Sequence, residues 1–185
     1  MFLVTTSRRP SRRTRSFLKD LVSILPDSRR LNRGKLSLRG LLAEAVVHNC
    51  KRIVIVNTFK GNPGSIDFYE VKISSLEDIS SNELRFMGRI ILKGVSLSNE
   101  LNYSRCVGKR ILKIDDSECS SKLCLEAREL LVEALVKASS NHEKQSQSEG
   151  IVLIIRDRGD YIELSFKTDS DKICGPVIRI RKIVR

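Results

Sequence analysis

Phe2-Leu3-Val4-Thr5-Thr6-Ser7-Arg8-Arg9-Pro10-Ser11-Arg12-Arg13-Thr14-Arg15 opens as a strand and closes as the start of a helix. Phe2–Thr6 has the apolar, β-branched character of a short buried strand. Behind it, Phe17, Leu18, Leu21, Val22 and Leu25 recur on one face of a helix over about 12–25. A loop that runs from a strand into a helix presents unpaired backbone N–H groups and the positive end of the helix dipole. Arg12, Arg13 and Arg15 add cations to that end, where each opposes the dipole by about 0.3–1 kcal/mol at low salt. A local conflict of this kind marks function, and an anion resolves it. Arginine suits bidentate phosphate contact better than lysine does.

Charge along the chain follows the same polarity. Up to Arg52 there are thirteen Lys or Arg against three acids, a net +10 out of +12 for the whole chain. Arg179, Arg181, Lys182 and Arg185 add four more cations in the last nine residues. Polyphosphate is the partner that fits such a footprint. A disordered basic tail would lack the apolar periodicity behind the arginines. Phe2-Leu3-Val4 is too short for a secretory signal, and the folded strand and helix argue against a transit peptide. The longest apolar runs, Ile53–Val56 and Ile151–Ile155, have strand length and cannot span a bilayer.

Strands and helices alternate along the 185 residues. A short strand near 29–31 precedes a helix over about 37–49, capped by Ser37 and facing inward with Leu38, Leu41, Leu42, Ala45 and Val46. A strand at 52–58, a turn at Lys60–Ser65 and a strand at 66–73 read as a hairpin. Residues 74–84 read as a linker between an N-terminal half (about 1–75) and a C-terminal half (about 85–185). Strand 89–95, a helix over about 120–139, a polar linker at 139–150, a hairpin at 151–167 and a last strand at 177–184 complete the pattern. Residues 96–118 carry no clear signal. Both halves end as helix, apolar strand, turn, strand, so the fold class is α/β with two similar units.

Cys50, Cys106, Cys119, Cys124 and Cys174 are odd in number and form no CxxC pair, which points to buried reduced thiols and a reducing, cytoplasmic setting. His48 and His142 have no catalytic partner nearby in sequence, and no metal or cofactor is expected. Lys60-Gly61-Asn62-Pro63-Gly64-Ser65 lacks the ending of a phosphate loop and reads as a turn, with Phe59 and Lys60 as auxiliary nucleic-acid contacts. Asp115-Asp116 and Asp157/Asp160 fit a helix start and a hairpin turn better than a nuclease centre. Aromatic residues make up 5% of the chain with no Trp, so phosphate contacts should dominate over base stacking.

Arg29-Arg30-Leu31-Asn32-Arg33-Gly34-Lys35 is a second basic element before the second helix. If the first two strands are neighbours, both basic loops leave the same edge of the sheet. Thr5-Thr6-Ser7-Arg8-Arg9-Pro10-Ser11 followed by Asn32-Arg33-Gly34-Lys35 and a Leu-rich helix resembles the Brix domain family of ribosome-assembly proteins. Gly175-Pro176-Val177-Ile178-Arg179-Ile180 is similar to that family's Gly-Pro motif before a final strand, and the length resembles its single-domain archaeal members. The resemblance spans the chain and is most specific in its N-terminal third.

The family implies two halves, each resembling the anticodon-binding domain of class IIa aminoacyl-tRNA synthetases, related by a pseudo-twofold. It implies binding to precursor ribosomal RNA, alongside other ribosome-assembly proteins, with no membrane and no small-molecule substrate. Matching positions are Thr6, Ser7, Arg8, Pro10, Ser11, Arg15, Asn32, Arg33, Gly34, Gly175 and Pro176; the Gly and Pro positions serve backbone geometry. The expected RNA site is Ser7, Arg8, Arg9, Ser11, Arg12, Arg13, Arg15, Arg29, Arg30, Asn32, Arg33 and Lys35. The expected function is a non-enzymatic factor in ribosome biogenesis. The alternative is a tRNA-binding or RNA-processing accessory module resembling an anticodon-binding domain. A DNA-binding protein would need a helix-turn-helix or dimer seam, which the sequence lacks.

Overall fold

Strand β1 (Phe2–Thr6) is buried along its whole length because it has a parallel neighbour on each side and a helix over each face. The computed structural model describes residues 1–74, 81–106, 111–137 and 150–185. Helix α1 (Arg12–Ile24) leads to β2 (Ser28–Arg30), and α2 (Leu38–Val47) leads to β3 (Arg52–Phe59). Period-two alternation sorts the side chains between two cores. Phe2, Val4, Val54 and Val56 pack with Phe17, Leu18 and Leu21 of α1. Leu3, Ile53 and Ile55 pack on the other face with Leu41, Leu42 and Ala45 of α2. The two helices therefore cover opposite faces, and the chain switches direction across β1.

β4 (Asn62–Lys72) returns antiparallel to β3, and β5 (Glu83–Ser96) antiparallel to β4. β6 (Ile111–Glu118), α3 (Lys122–Leu131) and β7 (Gly150–Asp157) form a second parallel crossover. β8 (Ile162–Thr168) and β9 (Ile173–Val184) follow antiparallel. β9 pairs antiparallel with β5, so the described strands make one nine-stranded sheet in the order β2-β1-β3-β4-β5-β9-β8-β7-β6. Leu130, Leu131 and Ala127 of α3 join the core under α1, so these two helices share one face.

Ion pairs fasten α1 to the segment that leaves β5. The Asp20 carboxylate, buried in α1, accepts from the Ser98 N–H at 2.9 Å and from Arg105 Nε at 2.8 Å. Arg13 clasps Glu100 and donates to the Val95 carbonyl at 3.0 Å.

Several expectations change. The Lys60–Ser65 turn shrinks to Lys60-Gly61, whose φ angles of +47° and +80° make a two-residue reversal, and β4 already starts at Asn62. The long third helix is α-helical only to Leu131 and continues as a π-helical segment over Val132–Val136. Part of the unassigned 96–118 stretch is the edge strand β6. Most of the 74–84 linker and nearly all of the 139–150 linker lie outside the described residues. The cysteines depart most: Cys106 is disulfide-bonded to Cys174 and Cys119 to Cys124, while Cys50 alone is a free, buried thiol. Cys106 and Cys174 are 68 residues apart, yet folding brings their Cα atoms to 5.7 Å. Cys119 precedes the helix that holds Cys124, which shortens that Cα separation to 5.5 Å.

Candidate nucleic-acid interface

The parallel pairing of β2, β1 and β3 points all three carboxyl ends the same way. The loop 7–11, the loop 31–37 and the Lys60-Gly61 reversal therefore share one edge, as do the N-termini of α1 and α2. Carboxyl ends at a switch in strand direction are where open α/β sheets bind ligands. Neither helix has an acid in its first turn.

Within this edge the polar groups divide into fasteners and free cations. The Ser7 N–H donates to the Val56 carbonyl at 2.8 Å, and Ser7 Oγ accepts from the Thr58 N–H at 3.4 Å. Ser11 caps α1, with Oγ accepting from the Thr14 N–H at 3.0 Å. Thr58 Oγ1 donates to Thr14 Oγ1 at 2.9 Å, tying the helix start to β3. In the second loop the Leu31 N–H donates to the Val4 carbonyl at 2.9 Å and Thr5 Oγ1 donates to the Leu31 carbonyl at 2.8 Å. Arg33 Nε donates to the Leu36 carbonyl at 3.2 Å, and its Nη1 reaches the Thr6 carbonyl at 3.5 Å. Gly34, at φ +52°, takes the left-handed turn that brings the chain back toward α2.

The side chains of Arg8, Arg9, Arg12, Arg15, Lys35 and Arg39 are exposed and make no hydrogen bond or ion pair among the described residues. Arg30 leans on Asn32 Oδ1 at 3.2 Å. Burial, and next the charge of Arg8, lower the proton affinity of the Arg33 guanidinium. Arg8 and Arg33 thus bring like charge together where the two loops meet, with Tyr69 and Asp67 acting in the opposite sense.

Eleven of the twelve residues expected at the RNA site lie at this edge, in different roles; Arg29 does not, because on β2 it stands opposite Leu3, toward the amino end of β1. Ser7, Ser11 and Arg33 hold the loops in place, and Asn32 positions Arg30. Arg13 is drawn off to Glu100. The roles of Ser7, Arg13 and Arg33 need partners distant in sequence, which the local pattern could not reveal. Arg39, exposed in the first turn of α2, belongs to the same edge and stands outside the expected set, and Lys60, expected as an auxiliary contact, is exposed at the hairpin tip. The signal for Arg39 was its place two residues after the Ser37 cap, a first-turn cation like Arg12.

Elsewhere the acidic pairs serve local structure. Asp115 accepts from the Ser117 hydroxyl and N–H, which lower its carboxyl below the usual range. Asp157 is held low in the same way, first by the Ser121 side chain and then by the Gly159 and Ser121 N–H groups. Asp116 pairs with Arg128. Among the described residues no three His, Cys, Asp or Glu side chains gather into a metal site. No described helix is long and apolar enough to cross a membrane.

No family model matches the chain. It is 34% identical over 179 residues to a probable Brix domain-containing ribosomal biogenesis protein of Sulfurisphaera tokodaii, covering 96% of this chain and 89% of that one. Proteins of the same description from Aeropyrum pernix and Pyrococcus horikoshii are 45% and 39% identical over 97 and 103 residues. Those matches span 52% and 56% of this chain and about half the length of each relative (50% and 42%). The crystal structure of a probable ribosomal biogenesis protein from Aeropyrum pernix superimposes with a TM-score of 0.78 at 29% identity, over 100% of this chain and 98% of that one. Mil, an archaeal Imp4-like protein, does so with a TM-score of 0.67 at 25% identity, over the full length of both.

Proposed function

The chain belongs to the Brix domain-containing ribosomal biogenesis proteins, and from that premise we propose that it binds precursor ribosomal RNA and acts without catalysis. The observation that carries this reading is the edge where two basic loops lie side by side, with six unpaired cations converging on the N-termini of α1 and α2. Phosphates placed there would meet arginine forks, free backbone N–H groups and two helix dipoles together. Cations that oppose a dipole in the free protein become favourable once an anion sits between them. The protein would hold RNA segments in a conformation that other factors pair or process. Its partners would be that RNA and other assembly proteins, and its location the cytoplasm.

We also read the sheet as two related units that meet at β5 and β9. β1–α1–β3–β4–β5 and β6–α3–β7–β8–β9 each run as a parallel pair followed by two antiparallel returns, which supports a pseudo-twofold between them. On this reading β5 closes the first unit, so the boundary falls after Ser96 rather than near residue 85.

Incubating purified protein with labelled precursor RNA and magnesium tests the function. Retention of intact RNA is expected, together with co-sedimentation with immature ribosomal particles. Cleavage that survives purification would contradict the reading, as would co-sedimentation with synthetases instead, the behaviour of a tRNA-binding module.

A further inference from the structure

β4 pairs with β5 only as far as Ser65 opposite Ile91, while β5 turns onward to β9 with Gly94 opposite Arg179. The β3–β4 hairpin tip and β5 therefore part, and a notch of roughly 800 Å³ opens between them beside the start of α1. That volume suits a small ligand rather than a single water. Lys60, Lys93, Arg181 and Arg13 line the notch together with Asn57 and Asn62, and no Asp or Glu does. Lys93 Nζ stands 4.4 Å over the Tyr161 ring and has no carboxylate partner among the described residues. At the rim Phe59 is 66% exposed, an unusual position for a phenylalanine, with Lys60 Nζ 5.5 Å from its ring centre. Gly64 explains how Phe59 is held there. A Cβ at Gly64 would lie 2.4 Å from the Phe59 Cβ, so the hairpin closes only because residue 64 has no side chain.

An exposed aromatic face beside an acid-free cluster of cations and amides matches one ligand chemistry: a nucleobase on the ring and its phosphates on the cations. We propose that this notch takes an unpaired nucleotide of RNA, its base stacked on Phe59 and its flanking phosphates on Lys60, Lys93 and Arg181. The proposal rests on the RNA-binding reading and extends it, because a strand crossing the basic edge would run past the hairpin tip into the notch. A base held in a duplex cannot reach Phe59, so the notch selects unpaired RNA.

The test compares a single-stranded oligouridylate with a blunt RNA duplex by fluorescence anisotropy, using wild type, Phe59→Leu, the pair Lys93→Gln and Arg181→Gln, and the pair Arg12→Gln and Arg15→Gln. Phe59→Leu should weaken single-strand binding about tenfold, the size of one base–aromatic stack, and leave duplex binding and thermal stability unchanged. Lys93→Gln with Arg181→Gln should weaken single-strand binding and flatten its salt dependence. Crosslinking with 4-thiouridine RNA should map to the peptide that contains Phe59 and Lys60. If Phe59→Leu binds single strands as wild type does, while Arg12→Gln with Arg15→Gln weakens both RNAs, the notch proposal fails and the basic-edge reading stands. No binding of either RNA by wild type would overturn both. Loss of an assembly-protein contact in Phe59→Leu with RNA affinity intact would assign the notch to protein and also refute the proposal.

Discussion

Arg12, Arg13 and Arg15 sit within four residues of one another, yet the structure gives them opposite duties. Arg12 and Arg15 are exposed without partners among the described residues, whereas Arg13 clasps Glu100 and the Val95 carbonyl. Changing Arg12 and Arg15 to Ala should weaken RNA binding while raising stability slightly, by a few tenths of a kcal/mol to about 1 at low salt. Arg13→Ala should instead lower stability by about 1 kcal/mol, since the pair is bidentate but about one-third exposed. Thermal melts of the separate variants check both signs. Asp20 makes a sharper case: it is buried, and its loss leaves the Ser98 N–H without its acceptor. Arg105 is partly exposed and can turn to water, so Asp20→Ala should cost about 2–3 kcal/mol rather than the full penalty of a buried unpaired charge. A urea titration that shows less than 1 kcal/mol would contradict this account of how α1 is anchored.

Among the elements, the central strands depend on carboxylates whose environment keeps them ionised. Burial alone would raise the Glu70 carboxyl on β4, but Arg52 and Arg85 outweigh it and bring it below the usual range. The Leu97 N–H holds the Glu100 carboxyl down, against slight burial and with help from Arg13. Both groups bind protons less readily folded than unfolded, so their contribution is complete above the ordinary glutamate value of about 4.3 and disappears as pH falls below it. Urea midpoints should drop between about pH 5 and 3, and Glu70→Gln should flatten that dependence. β1, α1, α2, β3 and the two hairpins were legible because each carries a full period of apolar residues. β6 was not, since Asp115, Asp116, Ser117 and Glu118 hide an edge strand that buries little. The disulfides were hidden for a related reason: Cys106 and Cys174 become neighbours only when the strap after β5 folds back on β9. Thiol titration in denaturant without reductant should count one free thiol, Cys50, rather than five.

Across the whole molecule, one edge collects the two basic loops, the N-termini of α1 and α2 and the hairpin tip, and it does so through strand order. The cations themselves were readable in the sequence. That six remain unpaired while Arg13 and Arg33 are used internally depends on contacts between distant segments. The central claim is that these free cations meet RNA phosphates. It is tested most directly by the salt dependence of binding to single-stranded precursor RNA. With Arg8, Arg9, Arg12, Arg15, Lys35 and Arg39 engaged, the plot of log affinity against log salt should have a slope of about −4, and changing Arg12, Arg15, Lys35 and Arg39 to Gln should bring it to roughly −1 to −2. A slope near zero, or one that the four substitutions leave unchanged, would contradict the account.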